Sequence, residues 1–314
     1  MRRIAALVVF LLALAIWPAF LASAGAADEA AFTRTRDVIY GRKHGMALTM
    51  DIFTPTENAN GAAVVWVVSG GWVSAHAIAE PAFAFSPINE LARRGYTVFA
   101  VVHGSQPKFT IPEILEDMHR AVRYIRHHAG DFKIDAERIG ITGGSAGGHL
   151  SLMQGTGGVE GNPQAKDEVD RASSRVQAVA CFFPPTDFLN YGKPGENALG
   201  RGILKAFSAP FAFEVLDPKL GRYVPITDEE KILEIGRQIS PINLVTKDDA
   251  PALIIHGDKD TLVPIQQAEI IVTKLKEAGV AAELQVKQGA AHGWAHIDRD
   301  MPSIADWFDK HLQQ

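Results

Sequence analysis

The sequence predicts an α/β fold, in which a mostly parallel central sheet carries helices on both faces. Short, fully apolar runs recur along the chain and indicate strands buried on both sides. Segments with one apolar face at helical spacing separate these runs. A chain of 314 residues, 47% apolar and 21% charged, is long enough for one large core and is not of the disordered class. The predicted strands are residues 63–68, 97–102, 138–142, 177–183 and 253–256, with a weaker one at 283–286.

The first element of the fold is a β-hairpin over residues 37–53, because apolar and polar residues alternate on both sides of a glycine-containing turn. A strong helical pattern covers residues 112–128, and Thr110 is placed to cap it. A second amphipathic pattern, residues 265–278, stops at Gly279, which is a common helix C-cap.

Residues 1–26 have the pattern of a secretory signal peptide. Two arginines precede a long apolar stretch, and small residues follow it up to Asp28. The stretch is also long enough for an uncleaved membrane anchor, but Pro18 near its end and the small-residue tail favour cleavage. We therefore expect export to the periplasm or the medium, and a mature domain of residues 27–314 without a stable membrane anchor.

Charge and cysteine content exclude several classes of protein. The chain has 31 Lys and Arg against 36 Asp and Glu, a net charge of −5. No basic excess is available to neutralise a phosphate backbone, so nucleic acid is not an expected partner. The single cysteine, Cys181, excludes an intrachain disulfide and a cysteine-based zinc cluster, and its apolar run predicts an inert core residue.

Residues 192–239 fit neither the strand nor the helix pattern. They are rich in proline and aromatic residues and separate two predicted core strands. We interpret them as an insertion over the carboxyl edge of the sheet, where open α/β folds bind ligands. A surface excursion without a role is the alternative interpretation.

The clearest chemical motif is Gly-Gly-Ser-Ala-Gly at residues 143–147, between a predicted strand and a predicted helix. This is Gly-x-Ser-x-Gly in the strand–turn–helix context that the motif requires. The glycines allow a tight, strained turn that projects the hydroxyl of Ser145 from the sheet edge. A glycine-rich turn without chemistry is the alternative, and the flanking strand and helix argue against it.

A serine hydroxyl is a weak nucleophile that needs a base, and the base needs an orienting acid. Asp260 lies in a charged loop after a predicted strand, and His292 lies in a small-residue loop after the last one. Ser145, Asp260 and His292 thus occur in the order Ser, Asp, His. The sequence predicts that Ser145 attacks, that His292 is the general base and then the general acid, and that Asp260 orients His292.

An early predicted strand ends in Ser69-Gly70-Gly71-Trp72. Free amides of Gly70 and Gly71, together with the amide of Ala146 after the nucleophile, are expected to bind a developing oxyanion.

The chain resembles the α/β-hydrolase superfamily and is similar to its hormone-sensitive-lipase-like and bifunctional feruloyl/acetyl-xylan esterase-like branches. The resemblance spans about residues 37–312 and rests on three motifs. They are Gly-Gly-Ser-Ala-Gly-Gly-His-Leu, His-Gly-Asp-x-Asp-x-x-Val-Pro and Ala-His-Gly-Trp. One departure is that the family pattern His-Gly-Gly-Gly-Trp is here Val-Ser-Gly-Gly-Trp at 68–72, so the family histidine and first glycine are missing.

The resemblance implies a serine carboxylesterase without a cofactor, acting on small-molecule esters that include carbohydrate-linked ones. Two alternatives stay open: a serine peptidase related to the catalytic domain of prolyl oligopeptidases, and a non-catalytic binding protein on the same fold. The complete Ser, Asp and His set argues against the binding protein, because only chemistry requires all three.

Other residues compete for these roles. Asp258 is an alternative acid, but its spacing to the following Val-Pro and the resemblance favour Asp260. Asp187 follows the predicted strand at residues 177–183 and is a second alternative acid, although a turn-capping role is the simpler interpretation. His103 and His149 flank the predicted site and are interpreted as structural.

A metal site is not predicted. His292 and His296 have a spacing that can bind zinc on a helix, but no third ligand is evident and Gly293 argues against a helix. Trp72 and Trp294 adjoin the predicted catalytic loops. They are candidate substrate-binding residues, with loop packing as the alternative.

Overall fold

The computed structural model describes residues 31–313, so the predicted signal peptide lies outside the described residues. Eight strands form one sheet in the order β1-β2-β4-β3-β5-β6-β9-β10. The first two strands run antiparallel to their neighbours, and the others are parallel. The strands are β1 (Phe32–Lys43), β2 (Met46–Pro55), β3 (Ala63–Val67), β4 (Thr97–Val102), β5 (Ile139–Gly144), β6 (Ala178–Phe182), β9 (Ala252–Gly257) and β10 (Ala282–Lys287). This mostly parallel sheet is the one predicted.

Helices cover both faces of the sheet. Side chains of α2, α4 and α6 share one apolar core with the sheet, and those of α1 and α7 share a second core on the opposite face. Among the described residues, no helix has the length and apolar content needed to cross a membrane. The helices are α1 (Ile88–Arg93), α2 (Ile111–His127), α3 (Ala129–Phe132), α4 (Ala146–Gly157), α5 (Glu229–Gln238), α6 (Gln266–Glu277) and α7 (Met301–Leu312).

The central strand β3 shows why its run is apolar throughout. Val65 and Val67 point into the core under α2, while Val64 and Trp66 point into the core under α7, and all four are buried. Successive side chains of a strand point to opposite faces. A strand covered on both sides therefore loses the polar alternation of a half-exposed one.

The predicted N-terminal hairpin is formed by β1 and β2. Lys43 pairs with Met46 across a turn at His44 and Gly45, which both have positive φ, as the tight turns of hairpins require. The register of β1 shifts twice along its length, and Asp37 lies in the first shift with a φ of 55°. The hairpin joins the sheet through β2, which pairs with β4.

Helix α2 begins where the sequence predicts it. The Thr110 hydroxyl and the Glu113 carboxylate form a capping box around the first turn, and the carboxylate accepts the Thr110 amide at 2.8 Å. Such a cap satisfies backbone donors that the helix leaves without partners.

The insertion at residues 192–239 contains two 3₁₀ turns, the hairpin β7 (Glu214–Asp217) and β8 (Arg222–Pro225), and α5. Its Phe211 is buried and packs edge-on against Trp72, with ring centroids 5.5 Å apart. Trp72 belongs to the predicted oxyanion loop, so part of the insertion lies against that loop. That the segment covers the candidate active site stays a prediction.

Candidate active site

Ser145 lies in the turn between β5 and α4 and has a backbone conformation that is rare for serine. Its φ is 55° and its ψ is −119°. The Ser145 amide donates a hydrogen bond to the carbonyl of Phe182 on the neighbouring strand at 3.0 Å, which helps to hold the turn. Strained backbone of this kind persists only where the surrounding structure fixes it, and it is concentrated at functional sites.

Two glycines of the motif allow the helix to approach the strand. A Cβ atom at Gly143 would lie 2.6 Å from the carbonyl carbon of Gly147, and one at Gly147 would lie 2.8 Å from the carbonyl oxygen of Val67. Neither separation is tolerated between non-bonded atoms. The glycines are therefore required at these positions by backbone packing.

The structure brings the three predicted catalytic side chains together. His292 Nε2 lies 2.9 Å from Ser145 Oγ, and His292 Nδ1 lies 2.7 Å from Asp260 Oδ2. Because Nδ1 faces a carboxylate, it carries the proton, and Nε2 is left to accept the serine proton. The roles of Ser145, His292 and Asp260 in catalysis remain predictions, but the contacts that those roles require are present.

Asp260 is buried and firmly held. Its Oδ1 accepts hydrogen bonds from the amides of Leu262 and Val263, each at 2.9 Å. Burial by itself would raise the pKa of Asp260, but the contact with His256 Nε2 at 3.5 Å and the hydrogen bond with His292 outweigh it and hold the pKa well below its usual range. The carboxylate is therefore ionised when His292 needs a negative partner. His256 is a contributor that the sequence analysis did not identify.

The rival acids have other partners. Asp258 accepts the amide of Gly289. Asp187 Oδ1 accepts the amides of Leu189 and Asn190 at 2.9 and 3.1 Å, which is the turn-capping role predicted for it.

The other histidines of the region are placed in the core or away from the nucleophile. His103 and His149 are buried, and the Nδ1 atom of His103 lies 2.7 Å from the carbonyl of Gly104. Both ring nitrogens of His292 are engaged by the serine and the aspartate, so a metal shared with His296 would have to break one of those contacts.

Outside this site, one cluster of side chains has the ligand types that could bind a cation. Ligand atoms of Asp37, Asp51 and His76 lie within 4.8 Å of one another. The two oxygens of Asp51 already accept hydrogen bonds, one from Arg34 at 2.6 Å and one from the Asp37 amide at 3.0 Å. The cluster therefore satisfies its own charges and ties the hairpin to the loop after β3.

The prediction of Gly70 as an oxyanion donor is wrong. Its amide donates to the carbonyl of Val73 at 3.0 Å in a tight turn and is not free. The amides of Gly71 and Ala146 donate no hydrogen bond within residues 31–313, so they are available to a ligand. Ser69 occupies the position of the missing family glycine, and its hydroxyl is buried without a partner among the described residues.

The two tryptophans differ in their surroundings. Trp72 is only 2% exposed and packs between the loop and the insertion, so its prediction as a substrate-binding residue is wrong. Trp294 is half-buried, its indole N–H donates to Asp300 at 2.7 Å, and its ring lies edge-on to Phe183. A role for Trp294 in substrate binding stays a prediction.

Aromatic side chains that the sequence analysis did not assign surround the nucleophile. The ring of Phe183 lies 4.6 Å from the ring of His292. Phe85 lies 3.4 Å from the position that a Cβ atom would take at Gly293. Phe207 of the insertion lies 2.7 Å from the position that a Cβ atom would take at Gly71. These phenylalanines form an apolar wall that suits the non-polar part of an ester.

A large cavity lies away from Ser145. It has a volume of about 1260 Å³ and is enclosed by the hairpin turn, the start of α2 and the insertion. None of the predicted site residues lines it. Charged side chains such as Lys43 and Asp117 line it and pair with each other at 2.8 Å. The cavity therefore does not coincide with the candidate active site, which we place at Ser145, His292 and Asp260.

A strained serine at a strand–helix turn, joined through a histidine to a buried aspartate, places the chain in the class of α/β-hydrolase folds. The family model that matches residues 50–275 is BD-FAE, and the chain belongs to the BD-FAE family.

Curated relatives include two mycobacterial proteins from Mycobacterium tuberculosis. The chain is 29% identical to "Probable carboxylic ester hydrolase LipM" over 261 residues, which cover 81% of this chain and 55% of the relative. It is 26% identical to "Esterase LipC" over 280 residues, which cover 87% of this chain and 63% of the relative. The chain thus spans little more than half the length of these relatives.

Solved structures share the fold. A truncated carbohydrate esterase from gut microbiota superimposes with a TM-score of 0.70 at 24% identity, covering 91% of this chain and 99% of the other. The acetyl ester-xyloside bifunctional hydrolase from Caldicellulosiruptor lactoaceticus has a TM-score of 0.65 at 21% identity, covering 87% and 93%. These similarities confirm the predicted α/β-hydrolase fold.

Proposed function

We propose that the protein hydrolyses carboxylic esters through an acyl-enzyme on Ser145. The observation that carries the proposal is the continuous hydrogen-bonded chain from Asp260 through His292 to Ser145. The ester hydrolase names of the curated relatives support the same class of reaction.

In the acylation step, Ser145 Oγ attacks the ester carbonyl carbon while its proton passes to His292 Nε2. The resulting imidazolium is stabilised by Asp260, whose carboxylate is already oriented by two backbone amides. His292 then gives the proton to the departing alkoxide. The carbon–oxygen bond breaks, the alcohol leaves, and the acyl group stays on the serine.

The negative oxygen of the tetrahedral intermediate needs donors that are in place before the reaction. The amides of Gly71 and Ala146 are the two available ones, and Ala146 is also the first residue of α4. The positive end of that helix adds favourable electrostatics at the same point. In deacylation, a water molecule replaces the alcohol and the same groups act in reverse.

Within this class, we propose small esters of carbohydrate-linked alcohols as substrates. The structural neighbours named as a carbohydrate esterase and an acetyl ester-xyloside hydrolase support this choice. The apolar wall formed by Phe85, Phe183 and Phe207 suits a short or aromatic acyl group. Rates on p-nitrophenyl acetate, acetylated xylan and feruloyl esters would rank these substrates.

The proposed activity is tested with Ser145→Ala. The purified protein should hydrolyse p-nitrophenyl acetate and react with a fluorophosphonate probe, and Ser145→Ala should do neither at more than about 10⁻³ of the wild-type rate. Ser151→Ala is a matched control, because Ser151 lies on the same helix and its hydroxyl donates to the carbonyl of Gly147. A wild-type protein that neither reacts with the probe nor turns over any ester would contradict the proposal.

We also propose that the protein is exported after removal of residues 1–26, for which the sequence pattern is the support. Intact-mass analysis of the protein from its native host should give an N-terminus near Gly25 or Ala27. A full-length protein confined to the cytoplasm would contradict this.

A further inference from the structure

A buried histidine connects the predicted oxyanion loop to two other parts of the molecule. Trp72 follows Gly71 in that loop, and its indole N–H donates to His149 Nδ1 at 3.2 Å. His149 Nε2 lies 2.7 Å from the carbonyl oxygen of Ile239, at the end of the insertion. Both ring nitrogens of His149 are therefore used, one by the loop and one by the insertion.

These contacts fix the proton on the ring. Nε2 faces a carbonyl oxygen and must donate, so Nδ1 is the acceptor that the indole of Trp72 needs. A second proton on Nδ1 would point at the indole N–H and break the contact. Burial opposes that proton as well, because it lowers the pKa of His149 to about 4.

The ring is attached close to the nucleophile. The amide of His149 donates to the carbonyl of Ser145 at 2.9 Å, which places His149 one helical turn after the serine. The other side of the loop is held by Gln106, whose side chain donates to the carbonyl of Gly71 at 3.2 Å. The loop around Gly71 is thus held by the side chains of His149 and Gln106, and of these two residues only His149 belongs to the helix that follows Ser145.

We propose that His149 is a positioning residue for the oxyanion site, acting through Trp72 on the amide of Gly71. This inference rests on the proposed esterase function. The hydrogen bond sets where the Gly71 amide lies relative to Ser145 and Ala146. Because the oxyanion develops in the transition state and is absent from the bound ester, losing the bond weakens transition-state binding and leaves ground-state binding of the ester almost unchanged.

The two bonds of His149 are separable by substitution. In His149→Gln the longer amide can still donate to Ile239 but no longer accepts from Trp72. In His149→Asn the shorter amide keeps an acceptor near the indole and loses the bond to Ile239. Trp72→Phe removes the same donor from the other side and keeps an aromatic ring in the packing.

The expected result is a selective loss of kcat. His149→Gln and Trp72→Phe should each lower kcat for p-nitrophenyl acetate by about 10- to 100-fold with KM within about twofold, since a donor is displaced rather than deleted. His149→Asn should retain most of the wild-type kcat, because it keeps an acceptor for the Trp72 indole. The double variant Trp72→Phe/His149→Gln should lose little more kcat than either single variant. All three variants remove the same hydrogen bond, the one between Trp72 and His149.

Inhibition by phenylboronic acid gives a second measurement. The boronate adduct on serine mimics the tetrahedral intermediate, so its inhibition constant should rise in parallel with the fall in kcat. His103→Gln is the matched control, because His103 is also a buried histidine bonded to a carbonyl. It should lower thermal stability without the selective loss of kcat.

Two outcomes would overturn the inference. One is that His149→Gln and Trp72→Phe lose stability but keep kcat, which would make the contact purely structural. The other is that kcat and KM change together, which would indicate a deformed substrate pocket. Failure of the proposed function itself is a separate result, because the wild-type protein would then not react with the fluorophosphonate probe.

Discussion

The orientation of His292 depends on one carboxylate. Asp260 is the side chain that meets its Nδ1, and its second oxygen is fixed by backbone amides. Asp260→Asn should therefore fold but lower kcat by about 10²–10⁴, since an amide disturbs both the tautomer and the charge that stabilises the imidazolium. Steady-state kinetics on p-nitrophenyl acetate would measure the loss.

The other two acids provide the comparison. Asp258→Asn and Asp187→Asn should lower kcat by less than about tenfold, because these carboxylates accept hydrogen bonds from loop and turn amides. If Asp187→Asn caused the larger loss, the acid would belong after β6 and the assignment of Asp260 would be wrong.

Ser69 carries a buried hydroxyl without a partner among residues 31–313. An unsatisfied buried polar group costs about 1–3 kcal/mol. Ser69→Ala should therefore raise the free energy of unfolding by about 1 kcal/mol, measured by urea denaturation. Ser151→Ala removes a hydroxyl that is bonded to Gly147 and should lower it by a similar amount. A loss of stability in Ser69→Ala would show that its hydroxyl has a partner.

At the scale of the element, the oxyanion loop offers neighbouring glycines with opposite expectations. A Cβ atom at Gly71 would lie 2.7 Å from the ring of Phe207, and its φ of 57° disfavours a side chain. Gly71→Ala should therefore displace the donor and lower kcat by about 10²–10³. A Cβ atom at Gly70 meets nothing within 4 Å. Gly70→Ala should stay within a few-fold of the wild type, and equal losses in both variants would remove Gly71 from the donor set.

The strands and the positions of Ser145, Asp260 and His292 were predictable because each depends on local sequence. A strand buried on both faces is apolar throughout, as Val64 to Val67 show. The nucleophile turn needs glycines at fixed spacing, and the base and acid follow strands in a known order. Short α1 and C-terminal α7 were not identified, although α7 places Ile304 and Phe308 on one buried face.

The errors concern contacts between distant segments. Whether the Gly70 amide is free depends on how the loop turns back to Val73. Whether Trp72 faces substrate depends on the insertion, whose Phe211 covers it. Phe183 reaches His292 only because β6 lies beside the strand that leads to the acid. None of these relations is encoded in spacing along the chain.

At the scale of the whole molecule, buried neutral histidines make the stability depend on pH. Burial lowers the pKa of His103, His119 and His149 to about 4, whereas an unfolded chain binds the proton near 6.5. Between those values the unfolded state binds more protons, so the free energy of unfolding falls as the pH decreases. Each histidine contributes a slope of about 1.4 kcal/mol per pH unit.

Urea denaturation at pH 7.5, 6 and 5 would measure this slope. His103→Gln should flatten the dependence by about one histidine's share, whatever its effect on stability at pH 7.5. Identical slopes in the wild type and the variant would mean that His103 is protonated in the folded protein.

The shape of β1 has a consequence for how the molecules behave together. Strands at a sheet edge expose backbone groups that can pair with another chain and start aggregation. With twelve residues β1 is a long edge strand. Its two register shifts and the left-handed backbone conformation of Asp37 interrupt its regular hydrogen-bonding edge. Cationic side chains, among them Arg36 and Arg42, further discourage a second strand. We therefore expect the irregular edge to disfavour sheet pairing between neighbouring molecules, and a straightened edge to lose that protection.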